Sequence, residues 1–184
     1  MKKIIFFALL VGLTHVLWSQ DETIVLQNEP IEFDADGFYI KKVVDARENK
    51  DDIGFVQKGV FKKTKVEAHL KGGVEEAILN YLKENFDQDN DGIPIVLHVN
   101  ELKISETKSL PITGKAEIKL EFYHFKDGSI GKLYESEAFV EKPAVNVSKT
   151  HEERIREVIT TCLESFNNSD WKTVEPMFFK EGEK

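Results

Sequence analysis

The chain has 184 residues, of which 41% are hydrophobic and 32% charged, and its formal net charge at pH 7 is -8. This length is sufficient for one ordinary domain with its own core. The acidic balance argues against nucleic acid as a partner, because phosphate contacts need a basic patch, and against docking on anionic lipid head groups.

The first residues have the pattern of a secretory leader. Two lysines precede an apolar run, Ile4–Leu13, and a mixed stretch ends at Ser19 and Gln20. A basic start, a short apolar segment and a small residue at the cut are typical of a signal peptide. We predict a signal peptide over residues 1–19, cleaved after Ser19 or after Gln20, and a protein that is exported to the periplasm or beyond. The alternative is an uncleaved anchor, but the run is shorter than the about 20 residues that span a bilayer.

The chain contains one cysteine, Cys162. Because no cysteine lies near the predicted cut, the lipid attachment of bacterial lipoproteins is excluded. No other segment is apolar over a bilayer's length, which predicts no membrane insertion after the leader is removed. A single cysteine also leaves no internal disulfide. Cys162 falls on the apolar stripe of a predicted helix, and this position favours a buried thiol over a reactive one.

The first half of the chain predicts strands followed by a helix. The apolar patches Ile24–Leu26 and Ile31–Phe33 each suit an edge strand. Residues 38–45 are rich in β-branched and aromatic side chains and predict a strand. Residues 53–70 contain two glycines and then alternate, which predicts an irregular or bulged strand. Residues 71–86 repeat apolar side chains at i, i+3, i+4 and i+7, the spacing of a one-sided helix.

Three more strands are predicted after this helix. Residues 93–104 have apolar side chains on both faces, as in a central strand. One face carries Ile95, Leu97 and Val99, and the other carries Val96, Leu102 and Ile104. Residues 114–125 alternate between apolar and charged side chains, which indicates a sheet face in contact with water. Asp127-Gly128 marks a hairpin turn, and residues 130–140 form the returning strand.

The second helix is predicted over residues 148–166. Thr150 and Glu153 fit a capping box, with Ser148 as the competing N-cap. The segment that follows contains Trp171, Val174, Met177, Phe178 and Phe179, which predicts that it packs on the domain.

These elements predict an α+β fold in two layers. A mostly antiparallel sheet of about five to six strands would carry both helices on one face, within a single domain over residues 20–184. The alternative is a split β-α-β arrangement with some parallel pairing.

One acidic loop has half the pattern of a calcium-binding loop. Asp87, Asp89 and Asp91 alternate and Gly92 follows, as in the first half of an EF-hand. The twelfth position, which should be a bidentate glutamate, is His98. We therefore predict a helix-to-strand loop whose Asp and Asn side chains stabilise turns, with calcium binding as the alternative.

The remaining sequence predicts no catalytic, cofactor-binding or metal site. The histidines, which are His69, His98, His124 and His151, have no zinc spacing, although His98 and His124 would form a spatial pair if their strands were neighbours. No nucleophile elbow and no phosphate-binding loop is present.

A short motif resembles a known family. Residues 43–47, Val-Val-Asp-Ala-Arg, are followed by Ile53-Gly54, and this pattern resembles the small bacterial envelope lipoproteins of the YajG type. Those proteins have a strand that ends in Asp-x-Arg, a later glycine, and a helix that leads into a β-meander. The resemblance covers residues 38–166, and the missing lipid-attachment cysteine is a departure from the family. The Ser-Gln end of the leader also resembles exported proteins of the Bacteroidota.

The resemblance implies an accessory role in the cell envelope. If the resemblance is set aside, the residue types of Asp45 and Arg47 indicate a strand-end ion pair or a turn cap. We therefore predict a non-enzymatic exported protein that binds an envelope partner or ligand, with its acidic surface favouring basic partners. The alternative is a hydrolytic enzyme that uses scattered carboxylates or histidines, and a deep pocket that gathers titratable groups would indicate it.

Overall fold

The computed structural model describes residues 21–58, 64–107, 111–143 and 147–180, so the predicted signal peptide and its cleavage site lie outside the described residues. Within these ranges there are eight strands and two α-helices. The strands are β1 (Glu22–Ile24), β2 (Phe38–Asp45), β3 (Phe55–Lys58), β4 (Thr64–Leu70), β5 (Ile93–Glu106), β6 (Thr113–Lys126), β7 (Ser129–Pro143) and β8 (Phe178–Lys180). The helices are α1 (Gly73–Asn85) and α2 (His151–Asn167).

The strands form two sheets that lie next to each other at β3 and β5. The larger sheet has the order β2-β5-β6-β7-β8, in which β2 and β5 are parallel and the other neighbours antiparallel. The smaller sheet has the order β1-β4-β3, and its β1 and β4 are parallel. An isolated parallel bridge between Gly54 and Ile104 joins the two sheets. The predicted α+β fold is confirmed, and it includes the parallel pairing of the alternative arrangement.

Both helices pack on the core face of the sheets. Helix α1 contacts β2 and β4, and α2 contacts β6 and β7. The apolar stripes of both helices enter one hydrophobic core. At its centre, the Phe166 ring stacks on Phe122 at 4.2 Å between centroids and on Trp171 at 5.0 Å. The one-sided pattern of each helix thus predicted its packing correctly.

A bulge in β5 changes which side chains reach the core. The pairing of β5 with β6 shifts between Val99 and Glu101, which leaves Asn100 as an extra residue. Beyond it, Leu102 lies opposite Ile118, and both belong to the same core as Val99. The prediction that Leu102 and Ile104 lie on the opposite face from Val99 was wrong, because one extra residue reverses the alternation of a strand.

The outer face of the larger sheet carries a smaller apolar cluster, Val96, Tyr123 and Ile130. The Tyr123 hydroxyl donates a hydrogen bond to the Glu121 carboxylate at 2.8 Å. Burial alone would raise the pKa of Glu121, but hydrogen bonds from Asn100, Lys132 and Tyr123 lower it to about 2. This carboxylate therefore connects the bulge to β6 and β7.

Three local predictions for the strands are changed or sharpened. Residues 53–70 contain an antiparallel hairpin, β3 and β4, rather than one bulged strand, and residues 59–63 lie outside the described residues. The patch Ile31–Phe33 is not a strand; Ile31 is buried and its N–H donates to the Asn85 carbonyl at 2.7 Å. The β6–β7 turn has positive φ at both Asp127 and Gly128, as a tight hairpin requires.

The start of α2 differs from the predicted capping box. No side-chain hydrogen bond caps the helix at Thr150. Its hydroxyl donates instead to the Val147 carbonyl at 3.0 Å and accepts from Arg154 Nη1 at 2.6 Å. A 3-10 turn, Val147–Thr150, leads into the helix. The competing cap, Ser148, has a side chain outside the described part of the chain.

The segment after α2 packs as predicted, but only in part. Trp171 is buried, and β8 pairs with β7. Met177 and Phe178 remain exposed.

None of the helices in the described ranges combines the length and apolar character of a bilayer-spanning helix.

Candidate functional site

A groove of about 830 Å³ lies where the two sheets meet. One wall is formed by residues 46–57, which leave β2 and enter β3, and the other by residues 100–106 of β5. The pairing of β2 with β5 ends at Asp45 and Val99, whereas β5 continues to Glu106 with β6 on its other side. Between Val99 and the bridge at Ile104, the edge of β5 therefore faces the groove.

The Asp-x-Arg motif forms the base of one wall. Arg47 Nε and Nη2 donate to the two carboxylate oxygens of Asp45, each at 2.8 Å, and Nη1 donates to the Asp52 carbonyl at 2.7 Å. Both side chains are buried. Burial alone would raise the pKa of Asp45, but the hydrogen bonds and charge of Arg47 outweigh it and lower the pKa. The predicted strand-end ion pair is present, and it fixes the loop that follows β2.

Gly54 brings the second sheet to this wall. Its φ is +115°, and a Cβ at this position would lie 2.1 Å from the Ile104 carbonyl oxygen. The close approach allows the Ile104 N–H to donate to the Ile53 carbonyl at 2.7 Å. A glycine is required here because any side chain would separate the two sheets. The later glycine of the motif thus sets the position of both walls.

The rim of the groove combines an aromatic ring with charges of both signs. Phe55 is 41% exposed, and the Lys65 ammonium lies 5.3 Å from the centre of its ring. Glu48, Glu101 and Lys103 are exposed along the two walls. Such a surface can form apolar contacts, hydrogen bonds and ion pairs with the same bound molecule.

A buried acid at the end of one wall, Glu106, contacts a buried histidine, His151. The Glu106 and His151 side chains are both 0% exposed, and His151 Nε2 lies 3.3 Å from Glu106 Oε1. The Gln57 N–H donates to the other carboxylate oxygen of Glu106 at 3.3 Å. These contacts join β3, β5 and α2. The pair therefore connects these three elements at the end of the groove.

The acidic loop forms turns, as predicted. Asp89 Oδ1 accepts from the Asp91 N–H at 3.1 Å, and the Gly92 N–H donates to the Asp89 carbonyl at 2.9 Å. The Asp87 carbonyl accepts from the Ala35 N–H. Within the described residues, Asp87, Asp89 and Asp91 do not form a group of three carboxylates whose oxygens all lie within 4.8 Å of one another. His98 lies on β5 with its ring 4.5 Å from that of Tyr123.

The other histidines are separated. His98 and His124 lie on neighbouring strands, but His98 pairs with Glu121 and His124 with Ile95, so they are not cross-strand partners. The His124 ring contacts Phe178, and burial lowers its pKa. His69 lies beside two carboxylates at the surface, those of Asp21 and Glu67. Sequence reasoning missed this group, although Glu67-x-His69 on one strand was a signal for it.

The cysteine is an internal residue. Cys162 is buried on α2, and burial raises the pKa of its thiol to about 11. The predicted buried thiol is confirmed.

The chain matches no protein-family model and no curated protein, so the resemblance to the YajG-type lipoproteins stays a prediction. Among solved structures, the chain is similar to protein XCC0632 from Xanthomonas campestris, of the family DUF330. The TM-score is 0.48 and the sequence identity 8%, over 80% of this chain and 94% of that one.

Proposed function

We propose that this protein is a non-enzymatic, exported accessory protein of the cell envelope, and that its groove binds an extended segment of a partner protein. The observation that carries the proposal is the edge of β5, which loses β2 as a neighbour after Val99 and faces the groove as far as the bridge at Ile104. A strand edge presents backbone N–H and C=O groups at the spacing that an added strand needs.

The backbone of β5 supports this mode of binding. The Val99 carbonyl accepts from Ala46, and the Ile104 N–H donates to Ile53, so both residues point their backbone groups towards this edge. Alternation along the strand places the N–H and C=O of Leu102 on the same edge, between these two contacts. A short extended segment would form its hydrogen bonds there. The pairing of β5 with β6 along its other side holds the edge in position.

The charge of the molecule favours a basic partner. The formal net charge is -8, and a field of this sign accelerates the approach of positively charged segments. Phe55 and Glu48, which are both exposed at the rim of the groove, provide an apolar contact and an ionic contact to the side chains of the segment. The occupant is therefore proposed as a basic polypeptide with at least one apolar residue.

The arrangement supports binding better than hydrolysis. Glu106 and His151 are the groups nearest to an acid–base pair at the groove, and both side chains are 0% exposed. A general base must come within hydrogen-bond reach of the proton it removes, and here the Glu106 carboxylate is held by His151 and the Gln57 N–H.

Site-specific photo-crosslinking in the native host tests the groove. A photoreactive phenylalanine analogue at Phe55 should capture a defined protein, and the same analogue at Phe139 should not. Phe139 is a matched control because it is 58% exposed and also lies below a lysine ammonium, that of Lys115 at 5.8 Å. The Glu48→Lys substitution should reduce the product at Phe55 several-fold, because it places a positive charge against the basic segment. Equal capture at Phe55 and Phe139, or capture at Phe55 that Glu48→Lys does not change, would contradict the proposal.

Export is tested separately by cell fractionation and N-terminal sequencing. We expect a processed chain that begins at Gln20 or Asp21 in the envelope or medium. An unprocessed chain in the cytoplasm would refute export and leave the groove experiment to be judged on its own result.

A further inference from the structure

Three metal-binding side chains converge on the outer face of the smaller sheet. Strands β1 and β4 are parallel, with Glu22 paired to Ala68 and Thr23 to His69. This register places Asp21 opposite Glu67, and His69 lies two residues further along β4 on the same face. One ligand atom from each of Asp21, Glu67 and His69 lies within 4.8 Å of the others. His69 Nε2 is 3.7 Å from Asp21 Oδ2.

Negative charge predominates in this group. Two carboxylates face one imidazole, and no ion pair or hydrogen bond joins Glu67 to a lysine or arginine within the described ranges. The nearest lysine along the strand, Lys65, has its ammonium over the Phe55 ring instead. Like charges at this separation repel, and a shared cation removes that repulsion.

We propose that Asp21, Glu67 and His69 form a binding site for a divalent transition-metal ion of the zinc type, with water at the remaining position. Zinc takes nitrogen and oxygen ligands at about 2.0–2.2 Å, which places tetrahedral ligand atoms about 3.3–3.5 Å apart. The distance between His69 and Asp21 exceeds this by only a few tenths of an ångström. Calcium is disfavoured because it takes oxygen ligands and needs six to eight of them.

The site would connect the first described strand to the rest of the smaller sheet. Asp21 precedes β1, which pairs with β4 through only three residues. A metal ion held by both strands binds the folded form and not the unfolded one, so it should raise the melting temperature by mass action. The site is on the face of β4 away from the core and does not depend on the peptide proposed for the groove.

Calorimetry and thermal unfolding with Zn²⁺ test the site on protein that carries no polyhistidine tag. Saturable binding of one ion per chain is expected, together with a rise in melting temperature. His69→Gln and Glu67→Gln should each weaken binding by at least about tenfold, since even residues that only support metal ligands cost that much. Co²⁺ in place of zinc should give the visible absorption of a four-coordinate site in the unaltered protein and lose it in His69→Gln.

The control variants are His124→Gln and Glu101→Gln. His124 lies against Phe178 and Glu101 is an exposed acid on β5, so neither change should affect zinc binding. Retained affinity in His69→Gln or Glu67→Gln would overturn the proposal and mark the binding as adventitious. So would a failure to bind zinc, or a larger thermal response to Ca²⁺ than to Zn²⁺.

Discussion

Replacing Gly54 with alanine would test whether the joint between the two sheets depends on close backbone contact. An L-residue with φ near the observed +115° is strained by about 1–3 kcal/mol. The new Cβ would also lie 2.1 Å from the Ile104 oxygen, a separation that real Cβ atoms essentially never show. The strands would have to part, which breaks the hydrogen bond from Ile104 to Ile53. A buried N–H left without an acceptor costs about 1–3 kcal/mol.

Together these two terms give a loss of about 2–6 kcal/mol from a total stability of about 5–15 kcal/mol. Urea unfolding measures the loss as a shift of the midpoint at constant slope. Gly128→Ala is the matched control, because Gly128 has φ of +77° but nothing within 4 Å of the added Cβ. It should lose only about 1–2 kcal/mol. If Gly54→Ala lost no more stability than Gly128→Ala, the reasoning from steric contact would be refuted.

Three further predictions concern buried or half-buried groups. Arg47→Leu removes the partner of the buried Asp45 carboxylate and should cost about 3–5 kcal/mol in urea unfolding, and a loss below about 1 kcal/mol would show that water replaces the guanidinium. Because the pKa of Glu121 is lowered from 4.5 to about 2, its contribution to stability should be complete above pH 4.5 and disappear as the pH falls towards 2. The stability difference between the protein and Glu121→Gln, measured across this range, checks it, and a constant difference would contradict it. Cys162 should resist thiol reagents at pH 8 and react once urea unfolds the chain, because burial raises the pKa of its thiol to about 11; rapid reaction of the folded protein would contradict this.

Periodicity predicted the elements whose partners are close in the sequence. The alternation in β6, the Asp127-Gly128 turn and the stripes of α1 and α2 each result from packing against one continuous face, so the pattern survives in the sequence. The bulge at Asn100 has no comparable pattern in the sequence. An inserted residue shifts the alternation by one, and residues 93–104 then read as apolar on both sides although Leu102 shares a face with Val99.

The sequence allowed single motifs of the candidate sites to be predicted, but not the contacts that bring these motifs together. The Asp45-x-Arg47 and Gly54 motif was visible, but its position at the joint of two sheets depends on a bridge to Ile104, 50 residues further along the chain. The cluster at His69 required the parallel register of β1 and β4, which places Asp21 beside Glu67. Long-range pairing of this kind has no local signal, because it is selected by the fit of the whole core.

The parallel pairing of β2 with β5 has a consequence for the order of folding. Strands β5, β6 and β7 follow one another as hairpins and form contacts that are local in the chain. Strand β2 is synthesised before them, yet its partner β5 appears only after β3, β4 and α1. Contacts this distant form late, because the loop between them must first be closed. A newly made chain should therefore pass through a stage in which a three-stranded meander exposes the β5 edge along its whole length, and this stage is where self-association would begin.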